Sequence, residues 1–281
     1  MNQQQLDIRD QQKASWDKFS PGWKKWDGFT MNFLKPMGDE IISTLRLQPS
    51  DNVLDIATGT GEPGLTIASI VNKGKVTGTD LSPEMIKLAN ENAKAKGLNN
   101  YSAIAADACE LPFADNTFDA ISCRMGFMFF PDMSLAAKEM YRVLKPGGRM
   151  ATSVWDGPEK NGWITAMMGA MKKHIDLPAP PPGAPGMFRC ATPGLITGLL
   201  KEAGFNNIQE KKIESLLQYD GPEQYWTMMN EVAAPVVAGM SQADNDTKTQ
   251  IKNDLFQLLD EKTDKGVLGL PFAAIIIYGE K

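Results

Sequence analysis

Two carboxylates and a run of glycines carry the first chemical signal in the chain. Residues 53–64, V-L-D-I-A-T-G-T-G-E-P-G, read as an apolar strand entering a turn, and Asp80 closes the next strand about one strand–helix–strand unit later. Gly59 and Gly61 permit a tight turn and let the backbone approach a ligand where a Cβ would intrude. An ionised Asp80 offers only acceptors, which suits the two hydroxyls of a ribose. Capping of the strand end is the competing structural use of the same side chain. Gly64 is accounted for by helix packing and is not taken as a ligand residue.

The same stretch satisfies G-x-G-x-x-G through Gly59, Gly61 and Gly64, so a nicotinamide or flavin dinucleotide is weighed first. A dinucleotide sets its diphosphate on the first helix N-terminus, and added negative charge opposes that placement. Here Asp55 and Glu62 bracket the turn. An ammonium group beside a sulfonium centre suits an acidic turn better than a pyrophosphate does. This favours S-adenosylmethionine.

Four separated segments then carry a family resemblance: VLDIATGTGEPG at 53–64, VTGTDLSPEMIKLAN at 76–90, AADACELPFADNTFDAI at 105–121 and EMYRVLKPGGRM at 139–150. In order and spacing the chain resembles the class I S-adenosylmethionine-dependent methyltransferases, in the small-molecule group of the ubiquinone and menaquinone C-methyltransferases. The resemblance covers about residues 45 to 155. It implies an α/β fold, a doubly wound seven-stranded sheet whose last strand runs antiparallel between the two preceding ones. It further implies that Asp55 helps position the methionine end of the cofactor, directly or through water and backbone amides, with loop fixing as the structural alternative. Asp107 resembles the side chain that accepts from the adenine amino group, with Ala108 supplying the adjacent amide; an Asx turn into Cys109 is the alternative. Leu81 and Met85 wall the adenosine, because a flat base needs nonpolar surroundings. Cys123 and Arg124 follow the fourth strand, facing the place where methyl donor and acceptor meet in such folds. Arg124 departs from the small or apolar residue expected there. An anionic acceptor, the cofactor carboxylate and a structural ion pair are the partners open to it.

The elements that must position these residues alternate as a doubly wound sheet requires. Strands are expected at 53–57, 75–80, 101–105, 118–123 and 149–155, with helices at about 62–71, 83–96 and 132–144. Ser82 caps the second of these helices and Pro83 takes its first position, where a missing N–H costs nothing. Beyond this core come a Met-rich helix (WITAMMGAMKKHI), a proline cluster expected in polyproline geometry, a helix near 193–203 and a strand near 208–217. A helical insertion over 222–264 and a final strand at 267–277 complete the chain. Residues 1–40 form an N-terminal helical cap on a domain at 41–281, and 156–192 and 219–266 are variable substrate-cap segments. In the cap, a helix over 7–19 places Trp16 and Phe19 on one face as a lid pair. Phe127, in the run GFMFFPD, is a candidate acceptor wall or core residue.

Methyl transfer asks for alignment of a nucleophile with an already activated S–CH3 bond and for exclusion of water. A base is needed only if the acceptor must lose a proton. His174, the sole histidine, is a candidate because an ordinary imidazole titrates near neutrality; a surface position is the competing reading. The net charge of −5 argues against a long nucleic-acid groove. Cys109, Cys123 and Cys190 form neither CxxC nor a metal-ligand cluster and read as free thiols in a reducing compartment. The first residues lack an apolar signal core, and the apolar stretches are too short to span a bilayer. The expectation is therefore a cytoplasmic monomer or homodimer acting on a partly apolar small molecule. A nicotinamide oxidoreductase and a non-catalytic cofactor-binding or assembly module are the alternatives; bound ligand and product formation separate them.

Overall fold

The computed structural model describes every residue except 178–180 and 182, so the polyproline expectation for that cluster lies outside the described residues. The N-terminal cap is two helices, α1 (Gln3–Lys25) and α2 (Asp27–Leu45), in place of the short helix expected over 7–19. Asn2 and Gln5 form a capping box at the start of α1, and Lys24 and Lys25 sit in its last turn, where cations suit the helix dipole. The second helix runs on through residue 40. Its buried face, Phe33, Leu34, Met37, Ile41 and Leu45, belongs to the main core.

The alternating core follows as β1 (Asn52–Ile56), α3 (Gly64–Ile70), β2 (Lys75–Asp80), α4 (Pro83–Ala95), β3 (Tyr101–Ala105), β4 (Phe118–Arg124), α5 (Met133–Val143) and β5 (Leu144–Trp155). Strands β1 and β4 are almost wholly buried, as strands covered on both faces must be. The Met-rich segment is α6 (Gly162–Lys172). Then come α7 (Leu195–Ala203), β6 (Asn206–Tyr219), α8 (Pro222–Val232), α9 (Ala234–Met240), α10 (Asn245–Asp260), β7 (Thr263–Asp264) and β8 (Val267–Glu280).

Strand order is β3-β2-β1-β4-β5-β8-β6, with β8 antiparallel to both β5 and β6. That is the expected seven-stranded topology with its reversed strand between the two preceding ones. The two-residue β7, paired with β8, is an addition the sequence did not announce. Order reverses between β1 and β4, and ligands in open α/β sheets bind at the carboxyl ends of the strands flanking such a point. Helix α2 packs on this region through Phe33, which stacks on Trp155 at 5.6 Å and meets Trp163 and Phe272 edge-on at 5.1 and 5.0 Å. Strand β6 forms the free edge and carries Glu210, Lys211, Lys212 and Glu214, charges that discourage pairing with another sheet.

Candidate functional site

The glycine turn lies at the carboxyl end of β1 and is built from below by Asp55. This carboxylate is fully buried. One oxygen accepts from the Ser122 hydroxyl at 2.6 Å, and the other from the Thr58 hydroxyl at 2.5 Å and the Gly64 amide at 3.2 Å. Burial pushes the carboxyl up to about 6, against the opposing pull of the hydrogen bonds from Ser122 and Thr58 and of the nearby Arg124 charge. The Tyr101 hydroxyl meets the Thr58 hydroxyl at 2.9 Å and extends the network. With its oxygens engaged inside the protein, Asp55 holds the loop. Gly64 is required by this arrangement: an added Cβ would lie 2.8 Å from the Asp55 carboxylate.

Above it, Gly59 and Gly61 adopt φ of 55° and 115°, the left-handed side of backbone space that glycine enters at little cost. Asp80 closes the loop from β2. Its two oxygens accept from the Gly59 and Ser82 amides, each at 3.0 Å, and each retains acceptor capacity. Burial raises the Asp80 pKa, opposed by those amides. Ser82 caps α4, accepting from the Met85 amide at 3.1 Å, and Pro83 follows at the first position. Met85 is buried and Leu81 half-buried beside the same turn. The strand-end and ribose-binding uses of Asp80 are compatible, since the first consumes only part of its acceptor capacity.

Asp107 makes the Asx turn weighed from sequence and keeps one oxygen without a partner. Its Oδ1 accepts from the Cys109 amide at 2.8 Å, an Asx turn, while Oδ2 is buried without a hydrogen-bond partner. An unpaired buried acceptor costs free energy, about 1–3 kcal/mol, that a ligand donor recovers. This orphan oxygen fits an adenine amino group, and Ala108 is buried beside it. The carboxylates on β2 and after β3 thus fit the nucleoside end of S-adenosylmethionine.

The electrostatic reading of Glu62 changes. Its carboxylate caps α3 through the Thr66 amide and hydroxyl and pairs with Lys96 at 2.9 Å. Its charge is therefore largely answered within the protein, and less acidity faces the turn than the bare sequence suggests.

At the end of β4, Cys123 is fully buried and its thiol is pushed up to about 12 by burial, so it presents a neutral group. Arg124 turns its guanidinium toward α2, with Nη2 3.3 Å from the Met31 sulfur and Nη1 3.4 Å from the Leu34 carbonyl. Phe127 is fully buried against Phe130 and belongs to the core. It is the half-buried Phe129 that meets the N-terminal helix, edge-on to Trp16 at 5.1 Å. Trp16 also meets Trp23, and the neighbouring Asp17 accepts from the Ser82 hydroxyl at 2.5 Å. Helix α1 is thereby tied to the ends of both β2 and β4. Phe19 is half-buried on the same helix. Asp17, Thr58 and Ser122 were not singled out from sequence; the contacts of Asp17 and Ser122 are each made with residues more than 60 positions away.

His174 is not brought to this cluster. Its ring Nε2 lies 3.1 Å from the Asp254 carboxylate of α10, beside Lys173, which pairs with the same carboxylate at 3.2 Å.

Residues 53–148 match the family described as a methyltransferase domain. Curated relatives include demethylmenaquinone methyltransferases: that of Listeria welshimeri is 39% identical over 125 residues, 44% of this chain and 53% of that protein. That of Thermus thermophilus is 40% identical over 111 residues, 40% of this chain and 50% of that protein. The chain spans about half the length of these relatives. Among solved structures, the YcgJ protein of Bacillus subtilis superposes with a TM-score of 0.58 at 23% identity, covering 87% of this chain and 97% of that one. The [4+2]-cyclase SpnF reaches 0.51 at 20% identity, over 87% and 80%. At such identities the likeness is one of fold. With the sheet order, the glycine turn and the homology over the core, the chain carries a class I S-adenosylmethionine-dependent methyltransferase domain. Within that class, its core is homologous to the demethylmenaquinone methyltransferases.

Proposed function

We propose that the protein transfers a methyl group from S-adenosylmethionine to a small, partly apolar acceptor of quinone type. The unpartnered Asp107 oxygen carries the reading, because it follows β3, whose last residue pairs with Asp80 at the end of β2, and it is an acceptor of the kind an adenine amino group requires. The homology to demethylmenaquinone methyltransferases supports the acceptor class. When bound, the cofactor supplies an activated methyl on a sulfonium centre. The protein's own work is positional: Asp55 holds the glycine turn, Asp80 the ribose, Asp107 and Ala108 the adenine edge, and Leu81 and Met85 wall the base.

In this reading α1 is a lid, with Trp16 and Phe19 on it, and residues 1–40 serve as the cap of a domain at 41–281. The cleft beside the glycine turn, lined in part by Asp27, Met31, Thr60 and Glu62, has a volume of ≈ 160 Å³. Segments 156–192 and 219–266 shape the acceptor side. No helix of the described residues is long and apolar enough to cross a membrane, and we propose a cytoplasmic monomer or homodimer.

Calorimetry with S-adenosylmethionine, S-adenosylhomocysteine and NAD tests the assignment. The first two are expected to bind and NAD is not. Binding of NAD without binding of either sulfur compound overturns it, and binding without product from a demethylated quinol panel leaves the assembly-module alternative standing in place of the enzyme.

A further inference from the structure

Arg124 is the charged residue of the crevice whose chemistry the fold leaves unanswered. Arg142 pairs with Glu139 at 2.8 Å and Asp115 at 2.9 Å, and Arg149 with Glu280 at 2.7 Å, whereas Arg46 and Arg189 make no ion pair among the described residues. Arg124, at the end of β4 beside the strand reversal, forms no ion pair among the described residues. Its contacts are a thioether, which is a weak acceptor, and one long bond to a helix carbonyl. The charged groups that face it are Asp55 of β1, Glu62 of the glycine turn and Asp27 of α2. Asp55 is engaged by Ser122, Thr58 and Gly64, and Glu62 by Lys96 and the start of α3. Asp27, in the first turn of α2, makes no salt bridge to it. A half-buried guanidinium without a carboxylate partner keeps its donors for a ligand, and it is the side chain best suited to an oxyanion.

Cys123 and His174 do not serve as proton acceptors for chemistry at β4, while Asp27 of α2 keeps a buried Oδ1 without a hydrogen-bond partner. Burial pushes the Cys123 thiol up to about 12, so it stays protonated. His174 is committed to Asp254 on α10. Transfer to a carbon or oxygen of a phenol or enol nevertheless requires that the hydroxyl proton be gone.

We infer that Arg124 selects acceptors carrying an acidic hydroxyl, a phenol or enol, and binds them as the oxyanion. This rests on the methyltransferase reading and names its substrate class. The hydroxyl proton is released to solvent as the oxyanion forms beside the guanidinium. An electron pair of that anion, on oxygen or on a conjugated carbon, then makes the bond to the methyl carbon. The S–CH3 pair returns to sulfur, leaving a neutral thioether, and a carbon-methylated ring regains its aromaticity by losing the hydrogen at that carbon as a proton to water. Arg124 supplies charge at the acceptor oxygen and moves no proton itself.

The test uses 4-nitrophenol, whose phenolate absorbs in the visible, titrated with the full-length protein saturated with S-adenosylhomocysteine. The wild type is expected to lower the apparent pKa of the bound phenol by about 1–3 units, the effect of a cation within a few ångströms. Arg124→Met removes that shift and Arg124→Lys retains part of it, while both variants bind S-adenosylhomocysteine within about threefold of wild type. An unshifted pKa in the wild type, a shift that survives Arg124→Met, or failure of 4-nitrophenol to bind the saturated protein overturns the inference. Loss of S-adenosylhomocysteine affinity by more than about tenfold in a folded Arg124→Lys protein also overturns it, assigning the guanidinium to the cofactor carboxylate. If Arg124→Met does not fold, Arg124→Lys decides through the same two readouts. Absence of S-adenosylhomocysteine binding by the wild type is a different failure, that of the methyltransferase reading.

Discussion

Replacing Asp80 with Asn tests the ribose site at nearly constant volume. In the wild type each carboxylate oxygen accepts one backbone amide, from Gly59 or Ser82, at 3.0 Å, and has capacity left for a ribose hydroxyl. The asparagine amide presents an NH2 group to one of those partners, so one oxygen's worth of acceptors is lost and the remainder is no longer charged. Hydrogen bonds to charged groups contribute about 1.5–3 kcal/mol each, so losing one and weakening another predicts about 2–3 kcal/mol. That is roughly 30- to 150-fold in the dissociation constant of S-adenosylhomocysteine. Because burial raises the Asp80 pKa, wild-type affinity falls on acidification sooner than it would for an exposed aspartate. The Asp80→Asn protein has no such dependence from this position. Calorimetry across a pH series, on samples with matched circular dichroism, reads both effects. An affinity within about threefold of wild type in the variant refutes the ribose role and leaves only strand-end capping, which lowers the unfolding midpoint without touching binding.

Asp55 predicts a pH dependence of stability with an unusual sign. Its carboxyl is raised from 3.8 to about 6 in the folded protein, so between those values the native state holds a proton that the unfolded chain releases. This group's contribution is therefore greatest below about pH 4 and is lost as pH rises through about 6, a change of about 3 kcal/mol. Urea unfolding at pH 5 and pH 8 is expected to show a smaller alkaline loss in Asp55→Asn than in wild type; equal losses in both proteins contradict the assigned shift. For the lid, Trp16→Ala removes the edge contact with Phe129 and its interaction of about 0.5–1.5 kcal/mol. Amides of α1 are expected to exchange faster in that variant, and S-adenosylhomocysteine to slow them in wild type. Deletion of residues 1–20 with cofactor affinity and methyl transfer intact would reduce α1 to a packing appendage.

Much of the core was legible because its signals are local. An apolar run entering a glycine turn and a Ser-Pro pair opening a helix each depend on backbone preferences within a few residues. Hence the strands at 75–80 and 101–105 are found where the pattern placed them, and Ser82 caps α4 as expected. The position of β8 came from the family resemblance. Periodicity alone cannot order strands in a sheet, since any apolar strand fits several neighbours.

The sequence by itself marked the acceptors at the strand ends: Asp80 through its position one βα unit after the glycine turn, and Asp55 and Asp107 through the family resemblance. The assignment of their lone pairs was decided by tertiary structure alone. Folding engages both oxygens of Asp55 with Ser122, Thr58 and Gly64, closes Glu62 on Lys96, and leaves one oxygen of Asp107 free. It also buries Phe127, sets Phe129 against Trp16 and sends His174 to Asp254. These outcomes depend on partners distant along the chain, whose approach is set by packing of whole helices and strands. Residue type states what a side chain can accept or donate; only the folded neighbours decide what capacity remains for a ligand.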